Sequence, residues 1–265
     1  MSQLRSTAVA GLFYAADAAQ LRGDVDALLA QVDGGGACPK VVIAPHAGYQ
    51  YSGLVAAQVY GRVTQAAGTI TRVVLLGPSH RVGFVGIAAS TKDYFATPLG
   101  NVRVDREALG LIDALPQVHY RDRAHLEEHS LEVHLPFLQR CLQSFSLVPL
   151  VVGHASPTDV AEVLECLWGG PETLIVVSSD LSHFLPYGAA QARDEQTSRR
   201  IESLASDISG EEACGAHPLN GLLCLASRRG LKIERVALKN SGDATGDRNR
   251  VVGYGSYVIY EPVQP

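Results

Sequence analysis

Residues 41–46 read VVIAPH, four consecutive apolar residues that Pro45 stops and His46 follows. A continuous apolar run of this length is typical of a strand that is buried on both faces of a sheet. Similar runs occur further along the chain, at 73–76, 147–152 and 174–177. We predict that these four strands form the centre of one sheet.

Helical patterns separate these strands. Asp17 is placed to cap a helix whose apolar residues recur with the helical period from Leu21 to Val32. Ser156 followed by Pro157 is a second helix start. Further helical patterns cover 54–63, 106–115, 128–142, 190–205 and 218–229. Pro136 is expected to start or kink part of the 128–142 helix.

Strands that alternate with helices predict an α/β fold, a three-layer αβα domain with a mostly parallel, mixed central sheet. We expect antiparallel pairing between 232–239 and 251–260, which a turn-rich loop separates. No linker or repeat divides the chain, so residues 1–265 are interpreted as a single domain.

Composition excludes several classes of protein. The 265 residues carry 22 Lys and Arg against 27 Asp and Glu, a net charge of −5, which argues against a nucleic-acid-binding protein. No apolar run reaches the ~18 residues that span a bilayer. Five scattered cysteines without a C-x-x-C pair favour reduced thiols, and we therefore expect a cytoplasmic protein.

Four histidines follow the predicted strands at their carboxyl ends. They are His46, His80, His154 and His183. In open α/β sheets this edge forms the crevice where ligands bind, and imidazole is a common ligand of transition metals. The pattern favours one shared metal site over four unrelated loop histidines. Asp180 precedes His183 by three residues and is a candidate ligand, proton acceptor or helix-cap residue.

Cys214 is a second candidate. Gly215 permits a tight turn after it, and Pro218 is placed to open a helix, so the thiol would lie at a helix N-terminus. That position favours the thiolate form. The alternative is that Cys214 is a buried packing residue.

Residues 125–129 match H-x-x-E-H, the pattern of inverted zinc peptidases. On a helix, His125 and His129 would share one face. We prefer the alternative that Glu128, His129 and Glu132 line the wall of the crevice. A serine hydrolase is disfavoured because the chain has no G-x-S-x-G motif, and no P-loop is present.

Seven short motifs are spread in order along nearly the whole chain. They are AGLFY (10–14), APHAGY (44–49), GPSH (77–80), EHSLEVHLP (128–136), SSDLSH (178–183), CGAHP (214–218) and NSGD (240–243). Together they resemble the signatures of the Memo family, whose prokaryotic members are called AmmeMemoRadiSam system protein B. The resemblance implies a fold similar to that of the class III extradiol dioxygenases.

The resemblance also implies site residues. His46, His80 and Cys214 would bind a metal, with Cys214 in the place where the dioxygenases have a glutamate. His183 would act as acid/base with Asp180 beside it. Glu128 and His129 match a motif that we assign to substrate binding, and His154 is left as a structural residue.

A thiolate in place of a carboxylate makes a metal site softer. Such a site favours copper(I), zinc or thiolate-ligated iron. The resemblance implies iron or copper binding, so we expect one transition metal ion per chain, with iron or copper favoured and zinc a further candidate. The family resemblance implies redox chemistry and association with radical SAM and AMMECR-like proteins. Two alternatives stay open: a dioxygenase-like oxidoreductase acting on a catechol-type substrate, and a non-catalytic module that binds a peptide or protein.

Overall fold

The computed structural model describes residues 3–261, and its strands join into one mixed sheet. The strands are β1 Leu4–Arg5, β2 Val41–Ala44, β3 Arg72–Pro78, β4 Ile87–Ala89, β5 Tyr94–Phe95, β6 Val102–Val104, β7 Val118–Tyr120, β8 Ser146–Val152, β9 Thr173–Ser178, β10 His183–Leu185, β11 Ile233–Asn240 and β12 Val251–Ile259. The main path runs β1-β5-β6-β8-β3-β9-β2-β12-β10, with β11 paired to β12 and β4 paired to β7 and β8.

The four apolar runs form the central strands β8, β3, β9 and β2, which are adjacent and parallel. Their side chains are buried because helices cover both faces, as the continuous apolar patterns predicted. Ala44 pairs with Ser178 at the carboxyl end of β2 and β9. Pro78 pairs with Val152 at the same end of β3 and β8. The segments that follow these strands therefore leave the sheet at one edge.

The helices separate into two groups. They are α1 Ala18–Leu29, α2 Tyr49–Val63, α3 Arg106–Gly110, α4 Asp122–Leu126, α5 Leu135–Cys141, α6 Pro157–Leu167, α7 Tyr187–Glu202, α8 Ala216–Arg228 and α9 Ser241–Thr245, with single 3-10 turns at Thr64–Ala66 and Glu132–His134. Helices α1, α2 and α5 pack together, and α2 contacts β2. Helices α6 and α8 pack as a pair, and α8 contacts β3 and β9. The predicted three-layer αβα fold is confirmed.

Local signals account for the helix starts. The Asp17 carboxylate accepts the backbone N–H groups of Ala19 and Gln20, which caps α1. Ser156 and Asp159 form a capping box at the start of α6. The predicted antiparallel pairing near the C-terminus is confirmed, since β11 pairs with β12 over its whole length. Among residues 3–261, no helix is both long enough and apolar enough to cross a bilayer.

The predicted helix over 128–142 is wrong in its first half. Residues 128–131 are irregular, and regular α-helix begins only at Leu135. The Glu128 carboxylate accepts the backbone N–H groups of His129 and Ser130, so its own side chain competes with helical hydrogen bonding. The buried Arg5 side chain donates a hydrogen bond to the Glu128 carbonyl oxygen. These contacts hold an irregular segment at the edge of the sheet.

Acid is expected to destabilise this fold through its buried histidines. Burial lowers the pKa of His125 from 6.5 to about 4, while its Nε2 donates to the Ala88 carbonyl oxygen. Between these pH values the unfolded chain binds the extra proton, so the free energy of unfolding falls as the pH falls. In urea unfolding, His125→Gln is expected to lose less stability than the wild type between about pH 6.5 and about pH 4.

The matched control is His119→Gln, because His119 is exposed. This variant should lose as much stability as the wild type over the same pH interval. Equal losses for His125→Gln and the wild type would contradict the assignment of the acid sensitivity to His125.

Candidate metal centre

Three imidazoles converge at the carboxyl edge of the sheet. His46 follows β2 and His80 follows β3, whereas His129 comes from the irregular segment before α5. The ring centroids of His46 and His80 are 5.0 Å apart, and His129 lies 5.4 Å from His46 and 4.6 Å from His80. Each ring offers one nitrogen, and these three nitrogens all lie within 4.8 Å of one another. This histidine cluster could hold a metal ion.

His46 and His129 are neutral near pH 7, which is the form that binds metals. Burial, reinforced by His80, holds the pKa of His46 well below its usual range. Burial likewise lowers the pKa of His129 to about 4. The Nδ1 atom of His129 is buried and makes no hydrogen bond among the described residues, although it lies 3.3 Å from Glu128 Oε1. A cluster of converging imidazoles, two of which burial keeps neutral, fits a metal ion.

Glu128 orients His80. Its Oε1 lies 2.9 Å from His80 Nδ1, and its Oε2 accepts the His80 backbone N–H at 2.6 Å. Burial alone would raise the pKa of Glu128, but the hydrogen bonds from His80 and from the Ser130 backbone lower it to about 2. The ionised carboxylate accepts the Nδ1 proton of His80, which favours the tautomer that has its lone pair on Nε2, a common arrangement behind metal-binding histidines.

Cys214 lies against the cluster on its other side. Its Sγ is 3.2 Å from His46 Nε2 and accepts the Asp180 backbone N–H at 3.3 Å. Among the described residues the converging group consists of His46, His80 and His129, so Cys214 is adjacent to that group and is not a member of it. The sequence assigned His129 to substrate binding, whereas the structure brings it into the cluster.

The expected helix-terminus thiol is present, but its charge state differs from the prediction. Cys214 directly precedes the Gly215 cap of α8. Burial, and after it the nearby Asp180 carboxyl, raises the pKa of the thiol well above its usual range. In the absence of a bound cation, desolvation outweighs the favourable helix dipole, and Cys214 is a neutral thiol.

Asp180 and His183 lie beside the cluster. The Asp180 Oδ1 accepts the His46 backbone N–H at 2.8 Å, and its Oδ2 is 4.0 Å from His46 Nε2. Burial raises the pKa of Asp180 to about 7. Burial lowers the pKa of His183, so its imidazole is neutral at pH 7. Both side chains face the cavity described next.

A cavity of about 720 Å³ opens over the cluster, and its wall includes His46, His80, His129, Asp180 and His183. Its volume is in the range of small-ligand sites. Leu12 and Phe184 line it although they are largely exposed, and Phe184 has a φ of 60°, a strained value for a residue with a side chain. The Arg250 guanidinium lies 5.0 Å from the Phe184 ring.

Arg5 anchors the segment that carries Glu128 and His129. Its side chain is buried, pairs with Glu132, and donates to the carbonyl oxygens of His125 and Glu128. Glu132 was predicted to line the crevice wall. It is instead buried beneath that wall, where it accepts backbone N–H groups and the Tyr14 hydroxyl.

Two histidines lie elsewhere. His125 lies in the short helix α4, where its Nε2 donates to the Ala88 carbonyl oxygen and its ring packs edge-on against Phe95. The H-x-x-E-H motif therefore does not place two imidazoles on one helix face. His154 is exposed, and its ring centroid lies 4.9 Å from that of His217, away from the cluster. Of the four strand-end histidines, His46, His80 and His183 line the cavity and His154 does not.

Neither Ser178 nor His134 was predicted at the metal site, but Ser178 contacts His46, and His134 contacts Ser178. Both occur in the quoted motifs, but no spacing rule pairs them. Arg250 and Phe184 were also missed, because they reach the cavity from separate segments and neither belongs to a metal-ligand pattern.

The fold and the cluster define the class: an α/β protein with a candidate metal centre at the carboxyl edge of its sheet. A family model described as "Memo-like protein" matches residues 5–258, and the chain belongs to this family.

Curated relatives agree with this membership. A MEMO1 family protein of Sulfolobus acidocaldarius is 36% identical, with 95% of this chain and 97% of the relative covered. One from Methanopyrus kandleri is 35% identical, with 96% and 98% covered. One from Aquifex aeolicus is 35% identical, with 95% and 97% covered.

Among solved structures, an uncharacterised protein of Escherichia coli K12 has a TM-score of 0.49 at 11% identity, with 82% of this chain and 98% of that chain covered.

Proposed function

We propose that this protein binds one transition metal ion at the carboxyl edge of its sheet and performs redox chemistry there. His46 and His80 are the two histidine ligands, and Cys214 is the third ligand. The observation that carries the proposal is the convergence of the His46, His80 and His129 nitrogens within 4.8 Å of one another at a large cavity, with the Cys214 sulfur 3.2 Å from His46 Nε2.

The protein residues have separate roles in this proposal. A bound ion supplies Lewis acidity or a change of oxidation state at the cavity floor. Asp180 is suited to hold or release a proton near neutral pH, because burial raises its pKa to about 7. His183 shares the cavity wall and exchanges protons with a ligand as a neutral base. Glu128 fixes His80, and His129 contacts either the ion or the ligand.

The donor set indicates the metal. Two imidazoles and a thiolate suit copper(I), zinc or thiolate-ligated iron, because sulfur is a softer donor than a carboxylate oxygen. From the family resemblance we favour iron or copper, with zinc a further candidate. Metal binding would also release the Cys214 proton, since the ligand form is the thiolate. Affinity is therefore expected to rise with pH.

Metal content tests the proposal. Protein purified without oxygen and reconstituted separately with Fe²⁺, Cu⁺ and Zn²⁺ is expected to hold about one ion per chain, as measured by elemental analysis. His46→Ala and His80→Ala should abolish this occupancy, because each removes an imidazole from the cluster.

The matched control is His154→Ala, which removes a strand-end histidine that lies outside the cluster. Its metal content should equal that of the wild type. Unchanged content in both His46→Ala and His80→Ala would overturn the proposed site, and loss in His154→Ala as well would indicate nonspecific binding.

The third ligand is distinguished by two further variants. Cys214→Ser should shift the absorption spectrum of a Co²⁺-substituted site by removing the thiolate band, while His129→Ala should leave that band in place. If the band is absent from the wild type and His129→Ala loses the ion, His129 is the third ligand instead of Cys214.

The large cavity favours a second candidate function, a dioxygenase-like oxidoreductase acting on a catechol-type substrate. Oxygen uptake by Fe²⁺-reconstituted protein with a panel of catechols would support it. The exposed apolar side chains at the cavity also suit a non-catalytic module that receives a peptide or protein. If a pull-down with the wild type and with His183→Ala captures the same peptide or protein partner equally well, and no oxygen is taken up, that alternative is favoured.

We further propose, from the family resemblance, that the protein is cytoplasmic and associates with radical SAM and AMMECR-like proteins. Co-purification from native cells tests this association. Neither nucleic acid nor a membrane is a proposed partner.

A further inference from the structure

A single buried hydroxyl lies between two histidines behind the cluster. Ser178 ends β9, and its Oγ is 2.6 Å from His46 Nδ1 and 2.9 Å from His134 Nε2. The same Oγ is 2.7 Å from the Ser130 carbonyl oxygen. All four residues are buried from bulk solvent.

The direction of each hydrogen bond follows from the number of protons. A serine hydroxyl donates one proton and accepts at two lone pairs. The Ser130 carbonyl oxygen only accepts, so the hydroxyl proton points to it. Both imidazole nitrogens must then donate, which places a proton on His46 Nδ1 and another on His134 Nε2.

Tyr60 contacts His134 from the far side. Its hydroxyl lies 2.9 Å from His134 Nδ1, and burial raises the pKa of this phenol well above its usual range, so the phenol keeps its proton. Burial also lowers the pKa of His134 to about 3, so this imidazole is neutral and carries one proton. Since that proton lies on Nε2, where it is donated to Ser178, Nδ1 accepts the proton of the Tyr60 hydroxyl.

The tautomer of His46 determines which of its nitrogens is free to bind a metal at the cluster. With a proton on Nδ1, His46 has its lone pair on Nε2, the atom that lies 3.2 Å from the Cys214 sulfur. The opposite tautomer would present an N–H group to an incoming cation. The hydroxyl also restrains rotation of the ring, and the Asp180 carboxylate holds the His46 backbone N–H.

We propose that Ser178, held in place by His134 and Tyr60, is a positioning residue that fixes the tautomer and ring orientation of His46 before a metal binds. This inference rests on the proposed function for its purpose, but the hydrogen-bond assignment stands without a metal. The Glu128 carboxylate orients His80 in the same way, through its contact with His80 Nδ1. The two predicted histidine ligands are thus held by different partners, one charged and one neutral.

The chain of contacts is a support and not a proton path. Tyr60 is completely buried, and its ring stacks on Phe137 in the core. A proton that moved from His46 toward Tyr60 would reach no solvent. The network therefore acts through geometry.

Nitrogen NMR on metal-free protein tests the inference directly. Long-range ¹H–¹⁵N spectra of histidine-labelled protein, with His46 assigned from the signal lost in His46→Gln, should show the Nδ1–H tautomer for His46 and the Nε2–H tautomer for His134. This wild-type measurement does not depend on the folding of a Ser178 variant. An Nε2–H tautomer for His46 would overturn the inference.

Ser178→Ala then tests the positioning role. His46 should become a mixture of tautomers, and the dissociation constant for Zn²⁺, measured against a competing chelator, should rise about 10- to 100-fold. Tyr60→Phe should broaden or shift the His134 signals and weaken Zn²⁺ binding less. Unchanged tautomer and affinity in Ser178→Ala would contradict the role.

The matched control is Ser256→Ala. Ser256 is also a fully buried serine of the sheet, but its Oγ has no hydrogen-bond partner among the described residues. Its removal should leave the tautomers and Zn²⁺ affinity as in the wild type. A tautomer change in Ser178→Ala in a protein that binds no ion would support the positioning inference and contradict the proposed function.

Discussion

Arg5→Met is expected to lower the free energy of unfolding by about 3–5 kcal/mol, because it leaves a buried carboxylate without its cation. Arg5 is 2% exposed and Glu132 is fully buried. The Arg5 side chain also donates to two carbonyl oxygens of the segment that carries Glu128 and His129. Urea unfolding at neutral pH measures the loss, and metal affinity should fall with it.

Two comparisons isolate the cause. The double variant Arg5→Met with Glu132→Gln should cost less than the sum of the two single variants, since it removes both charges. Arg199→Met breaks an exposed ion pair with Glu195 on helix α7 and should cost only about 0–1 kcal/mol. If Arg5→Met costs no more than Arg199→Met, the buried pair does not stabilise the fold.

Gly215→Ala is expected to destabilise the protein by about 1–3 kcal/mol and to weaken metal binding. A Cβ at Gly215 would clash with the Ser178 carbonyl oxygen and lie 2.6 Å from Ser179 Cβ. The end of β9 or the Cys214 loop must therefore move. Since Cys214 contacts His46 from this loop, the movement separates the thiol from the cluster, which unfolding and Co²⁺ spectra would detect.

Gly188→Ala is the control for the backbone effect of alanine. Gly188 lies in helix α7, and its Cβ would meet no atom within 4 Å. This variant should be as stable as the wild type or gain up to about 1 kcal/mol. Equal behaviour of the two variants would show that the close approach at Gly215 is not required.

The sheet was predictable because its signal is local. Each central strand is an apolar run that burial on both faces requires, and the helix starts at Asp17 and Ser156 depend on neighbouring backbone groups. The segment after Glu128 was not predictable, because the regular leucine spacing there is overridden by hydrogen bonds to Arg5, a residue 123 positions away in sequence.

Some residues of the candidate site were likewise predictable from local sequence, whereas others were not. The strand-end rule placed His46, His80 and His183 at one cavity, and local sequence made Asp180 and Cys214 candidates. The resemblance then assigned a role to each of these residues. It gave His129 a substrate role, whereas the structure packs its ring against His80 and His46. His154 follows the same strand-end rule and yet lies with His217, because the rule gives the edge of the sheet and not the direction of a side chain.

The sequence by itself determined the central strands, the edge at which the histidine cluster lies and the family. Only the tertiary structure decided which nitrogen of His46 carries its proton, since that depends on Ser178, 132 positions away, and on what surrounds its hydroxyl. The same holds for the Cys214 thiol, which burial keeps neutral despite its helix terminus. Periodicity and capping act between near neighbours, whereas desolvation and hydrogen-bond direction depend on every group that packing brings together.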